Sequence, residues 1–534
     1  MSRNIFEEIS KLTKLEECDS GDENVSDDQT DDEINDSEIY TSSDCDEEIE
    51  ELETLVSKNS IRWYISKSIE NMPPGRSCAR NVFIATPGPS ATAKRVISND
   101  ERPLSAFSLL IDEGTLRKIQ KYTIAEANRI GLDEWTLTLD ELEKFMGLLY
   151  ARGLLGSKNI PINDLWSANW GNDIFRRTMS RDRFIEIMKH IRFDNKTNRS
   201  SRLQQCKFAL FSEIWNAFTH NCEQHYIPNE NLTVDEQLFP TKSRCRFTQY
   251  MGNKPDKFGI KFWIIADVET KYFLGGFPYL GKDESRDYNT LAHHVVLKLA
   301  NPYLNKGYNI TGDNYFTHLS LVLDLMVKRT TYVGTVRSNR RELPQAALNV
   351  KNKPMFLSSF YKETNGVLLT SYKVKSTKNV LIMSSRHSFG TVSDGLKQKP
   401  NSVLFYNATK CGVDTLDQMC KGYSVKSGVR RWPLACFFNV MDLAGINAYI
   451  LYKKVTGIKI TRRAFMKILI EDLTKSNGAQ EATVASNVER GVKRRKCSIC
   501  TVNKTRDLCS ACSKLTCGKC TASRELQIKC NNCC

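Results

Sequence analysis

The chain changes its rhythm of apolar and polar residues along its length, and each rhythm predicts a type of element. From 104 to 228, apolar residues recur every three or four positions, as a helix burying one face requires. LTLDELEKFMGLLYARGLLG predicts a helix opened at Thr138, whose side chain and that of Glu141 form a capping box. SRDRFIEIMKHIRF (180–193) predicts a second amphipathic helix. Such helices suit dimerisation or DNA contact, and suit an ordinary helical core equally well. From 229 the period shortens: NLTVDE, KFGIKFWIIADVET, KYFLGGFPYL, GYNITGDNYF and TYVGTVRS read as strands. One helix-like stretch, LAHHVVLKLANPYL, precedes GYNITGDNYF. Residues 340–400 read as short strands and turns, an inserted subdomain, and strands and helices mix through 401–452. The fold class is therefore multidomain α/β. LACFFNVMDLAGINAYILY (434–452) approaches the composition of a membrane span, but Asn439, Asp442 and Asn447 interrupt it. It predicts a buried helix and no membrane.

Charge divides the chain in two. Residues 1–60 hold 21 acidic and 4 basic residues, leaving 41 acidic and 72 basic in the remainder, so a net of −17 precedes a net of +31. Residues 1–103 are expected to be a disordered acidic tail and a Pro/Gly/Ser-rich linker, since little apolar surface is available to bury. Ser20, Ser26 and Ser43 precede acidic residues and are candidate sites for an acidophilic kinase. The basic body points to a polyanion, most simply DNA. MSRNIFEEIS does not resemble a secretory leader, so an intracellular chain with reduced thiols is expected.

Three stretches end in a carboxylate that a strand or helix would present. Asp235 follows NLTV, Asp313 follows NITG, and Asp414 stands in TKCGVDTLDQMC with Asp417 one turn later. Oxygen ligands gathered at strand ends suit hard cations, and two-metal phosphoryl transfer uses such a set. Spacing alone leaves a cap, a turn or a solvated face open for each. Basic clusters stand close by in sequence: Lys254, Lys257 and Lys261 in NKPDKFGIK, Arg337, Arg340 and Arg341 in VRSNRRELP, and Arg430 and Arg431 beside Trp432 in VRRWP. They are candidate phosphate contacts, with Trp432 a candidate stacking ring. GGFPYLGKD has P-loop spacing, but Asp283 stands where a Mg²⁺-binding hydroxyl belongs and Pro278 lacks an N–H, so no ATP site is read there.

The end of the chain carries the most specific signal. Cys497/Cys500, Cys509/Cys512, Cys517/Cys520 and Cys530/Cys533 are four C-x2-C pairs, the donor set of two tetrahedral zinc sites. Cross-brace pairing joins the first pair to the third and the second to the fourth. KRRK (493–496) is a candidate nuclear localisation signal or phosphate contact.

NLTVDEQ, NKPDKFGIK, ITGDNYFT, VGTVRSNRRELP and YNATKCGVDTLDQMC, in that order, resemble the motif blocks of piggyBac-type DNA transposases, from about residue 104 onwards. The resemblance implies an RNase H-like catalytic core with a DDD triad. Asp235, Asp313 and Asp414 would bind two Mg²⁺ (or Mn²⁺) ions, with Asp417 nearby. It further implies a homodimer in the nucleus that acts on double-stranded DNA. The element ends would be nicked and closed as hairpins, then joined at TTAA. Residues 104–228 become a helical dimerisation and DNA-binding domain, 229–339 the first part of the core, 340–400 an insertion and 401–424 the second part. Residues 425–490 return to the helical domain and a linker, and 491–534 bind zinc and terminal DNA. The family has a histidine where Cys520 stands. A domesticated DNA- or chromatin-binding protein without catalysis is the alternative.

Overall fold

A computed structural model describes residues 54–66, 82–252, 254, 256–281, 291–349, 353–475, 495–505, 514–523 and 529–530. The candidate phosphorylation serines, Cys509, Cys512, Cys533 and the start of KRRK lie outside them. The chain forms two units, divided after Lys475.

In the larger unit, helices α1 (Glu113–Arg129), α2 (Leu139–Leu154) and α3 (Arg181–His190) follow the expected apolar spacing. The capping box is present: Thr138 Oγ1 accepts from the Glu141 amide at 3.1 Å, and Glu141 Oε2 accepts from the Thr138 amide at 3.0 Å. The later helices α9 (Trp432–Thr456) and α10 (Arg462–Thr474) return to this helical part, α10 packing against α2. Helix α9 is long and apolar enough to cross a membrane, yet 94% of that window is buried inside the protein. Its polar residues are used internally: Asn439 donates to Gln237, Asn447 bonds both backbone groups of Phe273, and Asp442 accepts from Ser424 and Val425. That is the behaviour of a core helix, whose buried polar groups need partners.

An eleven-stranded mixed sheet carries the rest. Its strands are β1 (Thr54–Val56), β2 (Arg62–Ser66), β3 (Asn231–Pro240), β4 (Thr248–Tyr250), β5 (Phe258–Asp267) and β6 (Phe273–Pro278). They continue as β7 (Asn309–Gly312), β8 (Thr331–Thr335), β9 (Ser358–Glu363), β10 (Leu368–Lys373) and β11 (Asn379–Ser384). The spatial order is β1-β2-β9-β10-β11-β8-β7-β3-β5-β4, with β6 also on β5. β3, β7 and β8 run parallel, whereas β5 is antiparallel to β3 and β6 to β5. β5 reads FGIKFWIIAD and is buried along almost its whole length, the pattern of a strand covered on both faces. Helices α4 (Ser212–His225), α5 (Leu291–Ala300) and α6 (Leu319–Val327) pack on β6, β5 and β8 respectively.

One expectation gains detail here and one changes. The strands of 340–400 extend the central sheet, because β11 pairs antiparallel with β8. The disordered tail expected through residue 103 is corrected for its later part. β1 and β2 form a hairpin, and β2 pairs with β9 at the sheet's far edge. RWYIS has the aromatic and β-branched content of a strand, and Trp63 is wholly buried with its indole N–H donating to the Glu342 carbonyl at 2.9 Å. A helix at Ala91–Asn99 follows, capped by Ser90.

Candidate active site and cysteine cluster

β3 and β7 pair in parallel with Thr233 opposite Thr311. Side chains alternate along a strand, so Thr233 shares its face with Asp235. Thr311 bears the same relation to Asp313, the residue that follows β7. The two aspartates therefore stand on neighbouring strands, whose backbones lie about 4.8 Å apart. The threonines fasten the next element in place. Thr409, at the end of helix α7 (Asn401–Thr409), accepts at its carbonyl from Thr233 Oγ1 (2.6 Å) and at its hydroxyl from Thr311 Oγ1 (2.9 Å). Helix α8 (Gly412–Gly422) then begins against β3, and only a glycine fits at that contact: a Cβ on Gly412 would lie 2.7 Å from Thr233 Oγ1. Asp414 sits in the first turn of α8 and is exposed. Asp417 is half-buried, accepts from Gln237 Nε2 at 3.1 Å and pairs with Lys421 at 2.7 Å. It thus ties α8 to β3, and through Gln237 to Asn439 of α9.

Electrostatics shows how crowded these acids are. Burial, then the charges of Glu236, Asp313 and Asp414, push the Asp235 carboxyl well above its ordinary range. Burial and Glu236 push Asp313 up to about 6, against the pull of the Tyr315 and Phe316 amides that donate to its Oδ1. Adjacent carboxylates that resist ionising together are relieved by a cation, and an all-oxygen donor set is the kind Mg²⁺ or Mn²⁺ takes. The residues fit divalent ions in that sense. The aspartates are nevertheless gathered more loosely than the cysteines described next. Among the described residues, only the cysteines bring three or more ligand atoms within 4.8 Å of one another.

In the smaller unit, Cys497, Cys500, Cys517 and Cys520 form that group. The first and third C-x2-C pairs converge, as cross-brace pairing expects. Cys500 Sγ and Cys517 Sγ are 3.7 Å apart, too far for a disulfide. Amide N–H groups aimed at Cys497, first that of Cys500, hold its thiol down at about 6, and Asn503 lowers that of Cys517. At Cys497 and Cys517 these donors favour thiolate, the form that binds zinc, whereas burial and its neighbouring thiols push Cys520 up. Of the second and fourth pairs, Cys530 ends a two-residue strand, and the rest lie outside the described residues.

A family model described as Transposase IS4 matches residues 102–449, well over half of the chain. The chain belongs to this transposase family. Its likeness within the family is to the piggyBac type, as the sequence motifs implied. The cryo-EM structure of a piggyBac transposase synaptic complex with hairpin DNA is similar at a TM-score of 0.70 and 30% identity, covering 84% of this chain and 100% of that one. PiggyBac transposable element-derived proteins 3 and 2 of Homo sapiens are 23% and 25% identical, over 66% and 67% of this chain. The match spans 61% and 62% of those relatives' own lengths.

The basic candidates of the chain separate by exposure. Lys257, Arg337, Arg341 and Arg430 are exposed. Lys254 and Lys261 are half-buried around Glu236, at 4.0 and 3.7 Å, and the Lys261 ammonium lies 3.9 Å from the centre of the Trp263 ring. The other three are turned to internal use, which corrects their reading as free DNA contacts. Arg340 donates to the buried His318 ring at 2.9 Å. Arg431 donates to the carbonyls of Met188 and Ile191 at the end of α3, meeting acceptors that a helix end leaves open. Trp432 stacks on Phe208, with centroids 5.5 Å apart, and meets Phe247 edge-on. Sequence reasoning missed Glu236, Gln237 and the three threonines. The repeated T-x-D of TVD and TGD was the available signal for two of those threonines.

Proposed function

We propose that the chain is a DNA transposase that cuts and joins DNA strands at Asp235, Asp313 and Asp414. The observation carrying this reading is the pair of repelling carboxylates on adjacent parallel strands, with Thr409, three residues before the helix bearing Asp414, stapled to both. Divalent ions held by these three residues would supply the Lewis acidity for an attacking hydroxyl and a departing oxygen. The protein's own contribution is positional. The Tyr315 and Phe316 amides fix Asp313, Thr409 joins the two strands, and Asp417 orients α8 through Gln237. Lys261, held over Trp263 and near Glu236, offers a cation to a DNA phosphate entering the site.

In this reading β6-β5-β3-β7-β8 is the RNase H-like core, β9–β11 belong to the insertion, and the helices of 104–228 and 425–475 dimerise and bind DNA. Zinc in the Cys497–Cys520 group folds a small end domain that grips DNA, with a second ion at the remaining pairs. The hairpin DNA named in the solved relative's complex supports hairpin ends; joining at TTAA and action in the nucleus are part of the proposal through the motif resemblance alone. The names of the human relatives, transposable element-derived proteins, favour one second reading: a DNA-binding protein descended from a transposase and no longer catalytic.

Excision in cells separates the two. A reporter is interrupted by an element with this protein's own terminal repeats and TTAA borders. Wild type should restore it and Asp313→Asn should not, because an amide is a poor ligand for a hard cation. Failure of both, with purified protein still binding the repeats, would favour the binder.

A further inference from the structure

The stacking ring expected at Trp432 is occupied, but the surface offers another. Tyr250 and Phe258 face each other across the β4–β5 hairpin, closed by the Met251 amide donating to the Lys257 carbonyl at 2.7 Å. Their rings are 4.9 Å apart and remain 61% and 57% exposed. Most exposed apolar residues stand singly, whereas a paired aromatic surface of this kind marks a contact. Phe258 also lines a cavity of about 440 Å³ with Phe239, Phe438, Lys242, Lys257, Lys426 and Asp256. No hydrogen bond or ion pair engages the ammonium groups of the three lysines among the described residues, and they outnumber the one aspartate. The wall is therefore apolar ring and cation together, the combination that binds a base by its face and a phosphate by its charge. The cavity is also tied to the carboxylates. Phe239 lies four residues beyond Asp235 on β3, about 13 Å along the strand. At about 3.4 Å per nucleotide, that is about four steps along a DNA strand.

We propose that this cavity and the Tyr250–Phe258 pair receive a DNA nucleotide displaced from its duplex, within a few steps of the phosphodiester at the aspartates. The proposal rests on the DNA transposase reading above. The base stacks on Phe258 or Tyr250, while Lys242, Lys257 and Lys426 meet the flanking phosphates.

The test uses the full chain and two labelled probes, a single-stranded oligonucleotide and a duplex of the same sequence, with anisotropy measured across a salt series. Phe258→Ala and Tyr250→Ala should weaken single-strand binding about five- to a hundredfold. They should leave duplex affinity and the salt slope unchanged, and Phe258→Trp should retain binding. Lys257→Gln should instead lower the single-strand salt slope by about 0.7. Both rings are exposed, so folding should survive, as unchanged melting would verify. Alanine variants that bind single strands like wild type would overturn the proposal. So would equal losses on both probes, or a change in oligomeric mass without a change in affinity, which would assign the rings to a protein contact. Effective competition by a deoxynucleoside monophosphate would make this a free-nucleotide site and overturn the DNA assignment. Duplex binding without single-strand binding sinks this proposal alone, and binding of neither probe sinks the transposase reading with it.

Discussion

Gly412→Ala tests whether the contact between α8 and β3 positions Asp414. The added Cβ would stand 2.7 Å from Thr233 Oγ1 and 3.0 Å from its Cβ, and the first distance must open by about 0.7 Å to reach the 3.4 Å of ordinary contact. Thr233 cannot easily turn away, because its hydroxyl donates to the Thr409 carbonyl at 2.6 Å. The helix must move instead, carrying Asp414, two residues on, away from Asp235. Overpacking of this kind costs about 1–3 kcal/mol, partly offset by the roughly 1 kcal/mol by which alanine exceeds glycine in a helix. A melting temperature lower by a few degrees is expected. Catalysis should suffer more, since displacements near 1 Å can cost about a hundredfold. The assay is single-turnover nicking of a duplex carrying the element end, beside the dissociation constant for that duplex. A rate reduced ten- to a hundredfold with near-normal DNA affinity supports the reasoning. Gly395→Ala is the control, because a Cβ there meets nothing within 4 Å. A Gly412→Ala rate within twofold of wild type, with unchanged melting, would refute the claim that this contact sets the carboxylate geometry.

Three further outcomes are expected. The His318 ring is held down at about 3 by burial and by Arg340, against an ordinary value of 6.5, so the unfolded chain takes up a proton between these pH values and the fold does not. Stability should be full above about pH 6.5 and fall as pH drops towards 3, by at most a few kcal/mol, and His318→Asn should flatten that limb in denaturant titrations. Arg431→Ala should cost about 1–3 kcal/mol by stranding the carbonyls at the end of α3, while Arg430→Ala should leave melting unchanged and lower the salt slope of duplex binding by about 0.9. A strong chelator, or Cys497→Ser, should open the 495–530 region to protease without lowering the melting temperature of the larger unit; protection retained in chelator would exclude a structural zinc.

Much of this was written in the sequence. The helix from Leu139, its capping box and the strands of NLTVDE and KFGIKFWIIADVET follow from local patterns that the backbone obeys wherever it is placed. The C-x2-C pairs likewise announce their chemistry, because two thiols three residues apart already chelate half a metal site. Motif order picked out Asp235 and Asp313, which the fold sets beside each other on adjacent strands. Local pattern could not say which cations stay free. Arg430, Arg431 and Trp432 are consecutive, yet one faces solvent, one serves a helix end and one is half-buried and stacked on Phe208. Nor could it say that residues 54–66 would complete the sheet beside β9, almost three hundred positions away. Hydrophobic period and metal-ligand spacing are properties of neighbours in the chain. The Thr233–Thr409–Thr311 staple, the burial that raises Asp235 and Asp313, and the open rings of Tyr250 and Phe258 depend on which distant surfaces meet, and only the tertiary structure decides that.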